Sequence, residues 1–189
     1  MANVHTPVGI LSFPALFTPR PRAQGNNPDF HCNVLFDKVA QATPQFAALK
    51  RAVADCINEK WGPGKAADRE FVKKLRLPFR PCSEKAYQGY DIEGGIYIAP
   101  WSTKRPDVVD ARLQDITVPT DVWAGQLVRV SVNPFAYSNS GNMGVSLGLN
   151  NVQICRTDGV RLDGRRAGKD DFSTYDDGLV PVGEDEASF

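Results

Sequence analysis

The sequence predicts a mostly-β chain with one inserted helix, and three observations carry that prediction. Strand-type alternation dominates residues 8–36 and 79–158, one long helical period lies between them, and no strand–helix–strand alternation repeats. At 189 residues, 42% hydrophobic and 23% charged, the chain is globular and sized for a single domain with a real core.

Residues 8–18 are rich in strand formers, but Pro14 restricts them to an edge or bulged strand. Residues 19–28, with Pro19, Pro21, Gly25 and Pro28, read as a loop carrying Arg20 and Arg22. Residues 29–37 alternate: Phe30, Cys32, Val34 and Phe36 share one face, His31, Asn33 and Leu35 the other. A helix is predicted at about 44–61, with Thr43 as N-cap, Pro44 at the first helical position and Gly62-Pro63-Gly64 as the stop. Its apolar face is Phe46, Leu49, Val53, Cys56 and Ile57. A second, shorter helical stretch is expected at about 66–75.

Beyond residue 79 the pattern is β. Strands are predicted around 96–101 and 108–113, and a turn at Pro119-Thr120-Asp121. In 126–133, Val128, Val130 and Val132 alternate with Arg129, Ser131 and Asn133, and Phe135 and Tyr137 continue the polar face. After a turn at 139–142, Val145, Leu147 and Leu149 share a parity that Val152 and Ile154 do not, which predicts a β-bulge at Asn150-Asn151. Five or six strands with a helix between early strands fit a five-stranded antiparallel barrel of the oligonucleotide-binding (OB-fold) type. An open β-sandwich is the runner-up.

No apolar run approaches the ~20 residues of a membrane helix, and Met1–His5 lack the features of a signal peptide, so a soluble cytosolic protein is expected. Cys32, Cys56, Cys82 and Cys155 are far apart and form no CxxC pair, so four free thiols and no zinc are expected. No HExxH, P-loop or dinucleotide motif is present, and Gly144-Val145-Ser146-Leu147-Gly148, superficially a nucleophile elbow, sits in a strand-like stretch. No catalytic residue, metal or cofactor is expected.

The formal net charge of zero conceals a polarity. Residues 1–169 hold all 22 basic side chains and 15 acids, a net +7, whereas 170–189 hold seven acids and no Lys or Arg. A basic body carrying an acidic tail points to nucleic acid or tail-mediated interaction. Single strands need cations for phosphates and flat side chains for bases. Tyr97 and Trp101 fall on one strand face just ahead of Lys104 and Arg105. Arg129, Phe135 and Tyr137 oppose the valine stripe, and Arg20 and Arg22 can border the same groove. The helix-region cations Lys50, Arg51, Lys60, Lys73, Lys74 and Arg76 read as a solvated face. The folded domain is placed at 1–169 and a disordered tail at 170–189. In that tail the clustered acids, among them Asp176, Asp177, Glu184, Asp185 and Glu186, can imitate phosphates, and Phe189 a base.

The order of several segments resembles a known family. These are Leu11-Ser12-Phe13-Pro14-Ala15-Leu16-Phe17, Gly95-Ile96-Tyr97-Ile98, Arg105-Pro106-Asp107-Val108-Val109-Asp110, Trp123-Ala124-Gly125-Gln126-Leu127-Val128 and residues 144–153, closed by the acidic end on Phe189. Together they resemble phage-encoded OB-fold single-stranded DNA-binding proteins of podovirus-type replication. The resemblance implies sequence-independent binding of single strands, with weak duplex binding possible from the excess positive charge. It also implies tail contacts with a replicative polymerase, helicase or primase, homodimers that exchange tails, and action in the host cytoplasm. A protein-interaction or structural phage module is the rival reading, and a nuclease the third.

Overall fold

The computed structural model describes residues 3–22, 27–84, 92–139 and 141–162. The expected tail, with its acids and Phe189, lies outside the described residues. Among the described residues nine strands form one sheet: β1 (Val4–His5), β2 (Gly9–Arg20), β3 (Asp29–Phe36), β4 (Arg80–Pro81), β5 (Ile96–Ile98), β6 (Trp101–Ser102), β7 (Asp107–Val109), β8 (Leu127–Asn139) and β9 (Asn142–Arg156). The pairing order is β1-β8-β2-β3-β6-β9-β7, and β8 also pairs with β9, so the path returns to β8.

Five strands were expected, all antiparallel; two of the observed pairings, β6–β9 and β7–β9, are parallel. The larger number has local causes. Pro100 has no N–H to donate, and it separates β5 from β6 although both keep one register against β3, through Leu35↔Tyr97 and His31↔Trp101. The strand expected over 108–113 stops at Val109, because Asp110 starts a turn in which its carboxylate accepts from the N–H groups of Arg112 and Gln114.

Proline acts as expected in β2. Ser12 opposes Asn33 and Ala15 opposes His31, so Phe13 and Pro14 together face a single residue of β3 in a bulge. On its other side the strand pairs with β8 only at Gly9 and Ile10, so at Pro14 it is bulged and has β3 alone as its strand partner among the described residues, as the proline requires. In β9 the register slips between Ser131 and Val132 of β8, leaving Asn150 as the extra residue and moving Val152 and Ile154 to the inner face, as the parity change requires.

The long helix α2 spans Pro44–Trp61, behind the one-turn α1 (Lys38–Gln41). Thr43 caps it by accepting from the Phe46 N–H at 3.3 Å, and Gly62, at φ 108°, ends it. Phe46, Leu49, Val53 and Ile57 are buried in the main core with Val128, Val130 and Val132. Burying such side chains stabilises by about 2 kcal/mol each. The second helix is shorter than expected: α3 is only Arg69–Val72, capped by Asp68, and the chain is non-helical by Leu75. A smaller cluster of Leu35, Cys82 and Tyr97 covers the other face of β3. The four cysteines are free thiols, and burial pushes that of Cys32 up to about 12. Among the described residues no helix is long and apolar enough to cross a membrane.

Candidate nucleic-acid interface

A cleft of about 1910 Å3 runs along the protein, and among the described residues its lining includes five arginines and no carboxylate. Three separate stretches deliver those arginines. Arg20 and Arg22 lie at the end of β2 and just after it, Arg76 and Arg80 in the segment between α3 and β5, and Arg161 near the last described residues. With Coulomb interactions strengthened at a low-dielectric surface, such a cleft attracts and tracks a polyanion.

The Arg76 segment is held by backbone. Arg76 N–H donates to the Met143 carbonyl at 2.9 Å, and Val145 N–H donates to the Arg76 carbonyl at 3.0 Å. Gly144 makes this approach possible, because a Cβ there would stand 2.4 Å from the Arg76 carbonyl oxygen. The C-terminal segment is seated similarly. Leu162 N–H donates to the Ala124 carbonyl, and Gly125, at φ 113°, leaves room for the Val160 carbonyl. Arg161 then stacks 4.7 Å above the Trp123 ring.

Arg22, Trp101 and Phe135 converge at one end of the site. The Arg22 guanidinium lies 4.7 Å over the Trp101 ring, Phe135 meets that ring edge-on at 5.9 Å, and Trp101 Nε1 donates to Ser146 Oγ at 3.1 Å. Arg22 Nε also donates to Asp29 Oδ2 at 2.9 Å, and His31 Nδ1 lies 2.7 Å from Asp29 Oδ1. Both atoms that His31 Nδ1 meets, the Asp29 carbonyl and carboxylate oxygens, are acceptors, so this nitrogen carries the hydrogen. Trp101 is therefore capped on one face, tied by its N–H and already part of a packed cluster.

The other residues singled out from sequence divide. Arg20 and Tyr137 line the cleft. Tyr97 does too, but it is only 1% exposed and packs with Leu35 and Cys82, so its ring serves the core and offers no open stacking face. Arg105 sits 5.1 Å over Phe17, itself a lining residue, and Lys104 is exposed beside it. Arg129 shares the strand face of Phe135 but lies six residues, about 20 Å, along β8. There it donates to Gln153 Oε1, and Gln153 in turn reaches the Asp110 carbonyl. It stands apart from the Trp101 cluster.

Sequence reasoning missed Arg76, Arg80, Arg161, Phe13, Phe17 and Trp123. Arg76 was grouped with a solvated helix face; the signal against that grouping is Pro78, which ends any helix before it. Ser146 lies inside β9 opposite Phe135, where its hydroxyl receives the Trp101 N–H, so the Gly144–Gly148 stretch forms no strand-to-helix elbow.

A β-rich body with a basic cleft lined in part by aromatic rings fits the class of single-stranded nucleic-acid-binding proteins. Within that class the chain belongs to the family of the Enterobacter phage Enc34 ssDNA-binding protein, whose model matches residues 3–180. It thus falls among binding proteins, not enzymes. No curated protein matches it significantly by sequence. Among solved structures it is similar to the single-stranded DNA-binding protein of bacteriophage Enc34 in complex with ssDNA, with TM-score 0.66 and 16% identity over 82% of this chain and 87% of that one. The same phage's protein in another structure gives TM-score 0.63 and 16% identity over 90% of both chains. The bacteriophage T7 single-stranded DNA-binding protein gp2.5 gives TM-score 0.60 and 13% identity over 88% of this chain and 98% of that one. At these identities the structural likeness speaks for the fold.

Proposed function

We propose that this protein binds single-stranded DNA, without sequence preference, in the arginine-lined cleft during phage DNA replication and recombination. The observation that carries the reading is a cleft whose described lining holds five arginines and several aromatic rings and no carboxylate. Phosphates supply the complement to the first, and base faces, which every nucleotide has, to the second. The Enc34 relative solved in complex with ssDNA supports it. The ring of pairings from β8 through β2, β3, β6 and β9 back to β8 supports reading the body as a small OB-type barrel.

The test is an anisotropy titration of a labelled oligo-dT with the full chain. Saturable binding that weakens as salt rises is expected; no binding at low salt overturns the proposal. Residues 170–189 we read as a separate tail that contacts a polymerase, helicase or primase and competes with DNA for the basic body, on the strength of its seven acids against the body's net +7. Removing these residues is expected to tighten oligo-dT binding and abolish the partner contact. Unchanged affinity and an intact contact overturn the tail reading.

A further inference from the structure

Asp29 is a nearly buried carboxylate at the head of β3, and its two oxygens are divided between two residues of the cleft lining. Oδ2 accepts from Arg22 Nε at 2.9 Å, and Oδ1 meets His31 Nδ1 at 2.7 Å. The second contact fixes how the imidazole presents itself. Since Nδ1 carries the hydrogen, the neutral ring bears a lone pair at Nε2. Nε2 has no hydrogen-bond partner among the described residues and is not sealed from water. The ring belongs to the cleft lining, so Nε2 is the polar atom it offers to a ligand there.

A lone pair is the wrong partner for a phosphate oxygen, which only accepts. Proton uptake at Nε2 reverses this: an imidazolium donates from both nitrogens, to Asp29 from one and to a phosphate from the other. The charges around the ring set when that happens. β3 brings Asp29, β2 and the residues after it bring Arg20 and Arg22, and β6, whose Trp101 pairs with His31, is followed by Lys104 and Arg105. One carboxylate, already shared with Arg22, stands against these cations, and an arriving phosphate tips the balance towards the protonated ring.

We infer that His31, oriented by Asp29, is a phosphate-binding residue of the cleft whose imidazole takes up a proton as single-stranded DNA binds. This rests on the reading of the cleft as a single-strand site. Histidine is the side chain that ordinarily changes charge near neutrality, whereas tyrosines, lysines and arginines ordinarily do so well above it and carboxylates below. Ligand binding that favours the protonated ring is by linkage stronger at low pH. The chain's other histidine, His5, is exposed on β1 and is not among the residues lining the cleft.

The experiment titrates labelled oligo-dT, whose bases do not titrate near neutrality, with the full chain at about pH 6 and about pH 8. The unsubstituted protein is expected to bind about five- to tenfold more tightly at the lower pH, with a salt slope steeper there by up to about 0.7. His31→Gln places a neutral amide near the position of Nε2, and His31→Asn keeps a donor towards Asp29 but loses the cleft-facing nitrogen. Both are expected to bind equally at the two pH values, to within about twofold, while His5→Gln keeps the full ratio. A ratio below about twofold in the unsubstituted protein overturns the inference and leaves the cleft reading standing. So does a ratio that survives in either His31 variant or is lost in His5→Gln. Should a His31 variant fail to fold, the unsubstituted protein and His5→Gln still decide. If the unsubstituted protein binds no oligo-dT at low salt at either pH, the cleft reading fails and this inference fails with it.

Discussion

Neutralising Arg76 and Arg80 together gives the sharpest test of the cleft. Both are exposed lining residues, and neither makes an ion pair with a described carboxylate. Each cation that replaces a counterion on single-stranded DNA contributes about −0.7 to the slope of log K against log salt. If three to five cleft arginines engage phosphates, the slope is about −2 to −3.5. Between 50 and 200 mM salt affinity then falls by roughly 20- to 130-fold. The Arg76→Gln, Arg80→Gln double variant is expected to lose about 1.4 from that slope, and so to be about sevenfold less salt-sensitive over the same range. Anisotropy titration of labelled oligo-dT at four or five salt concentrations reads this directly. Glutamine keeps the polar stem, and the Arg76 backbone bonds do not use the side chain, so the fold is left intact. A double variant with the unsubstituted slope refutes the placement of phosphates against this segment, whatever its affinity at one salt.

Three further outcomes follow from the same geometry. Asp29→Asn keeps the shape of the Arg22–Asp29–His31 contacts but removes a nearly buried charge, so stability is expected to fall by about 1–2 kcal/mol. Arg22 is then released, and the oligo-dT salt slope steepens by up to about 0.7; melting and titration read the two effects separately. Gly144→Val forces a side chain into the Arg76 carbonyl and is expected to cost about 1–3 kcal/mol. It should also weaken oligo-dT binding to the level of an Arg76 variant, checked by melting and anisotropy. Finally, the Cys32 thiol keeps its proton to about 12 in the fold against 9.0 when free. The unfolded state therefore binds fewer protons in that window, and stability falls as pH rises from about 9 towards 12, by at most about 1.4 kcal/mol per pH unit for this group. Denaturant titrations of the protein and of Cys32→Ala should show a shallower fall in the variant, and at pH 8 Cys32 should resist thiol reagents until the chain unfolds.

How far the fold was legible depended on whether its cause was local. The α2 boundaries follow from Thr43, Pro44 and Gly62, and each acts within a few residues of itself. The β9 bulge was readable from parity because Leu149 and Val152 must both face one core. The parallel pairings of β6 and β7 with β9 were not, since they join residues about 45 positions apart through backbone atoms that carry no residue signature. Tyr97 shows the same limit from the other side. Its strand face was read correctly, but whether that face is open or covered depends on Leu35 and on Cys82, which a distant short segment brings in.

The cleft itself was legible as a total and not as an address. The net +7 of residues 1–169 says that cations outnumber anions; it does not say which remain available. Pairing decides that. Lys65 is matched by Asp68, Lys73 by Glu70 and Arg156 by Asp158, all within three residues, and these local pairs take cations out of the long-range field. Arg76 and Arg80 follow α3, where the chain leaves the helix and joins the sheet, and meet no such partner among the described residues. Arg22 is intermediate, shared between Asp29 and the Trp101 ring. A single strand entering the cleft thus meets arginines without a carboxylate partner among the described residues at the Arg76–Arg80 segment and a more committed one at Trp101. Binding energy should accordingly concentrate at the former, so that Arg22→Gln costs less affinity than Arg76→Gln even though Arg22 makes more contacts.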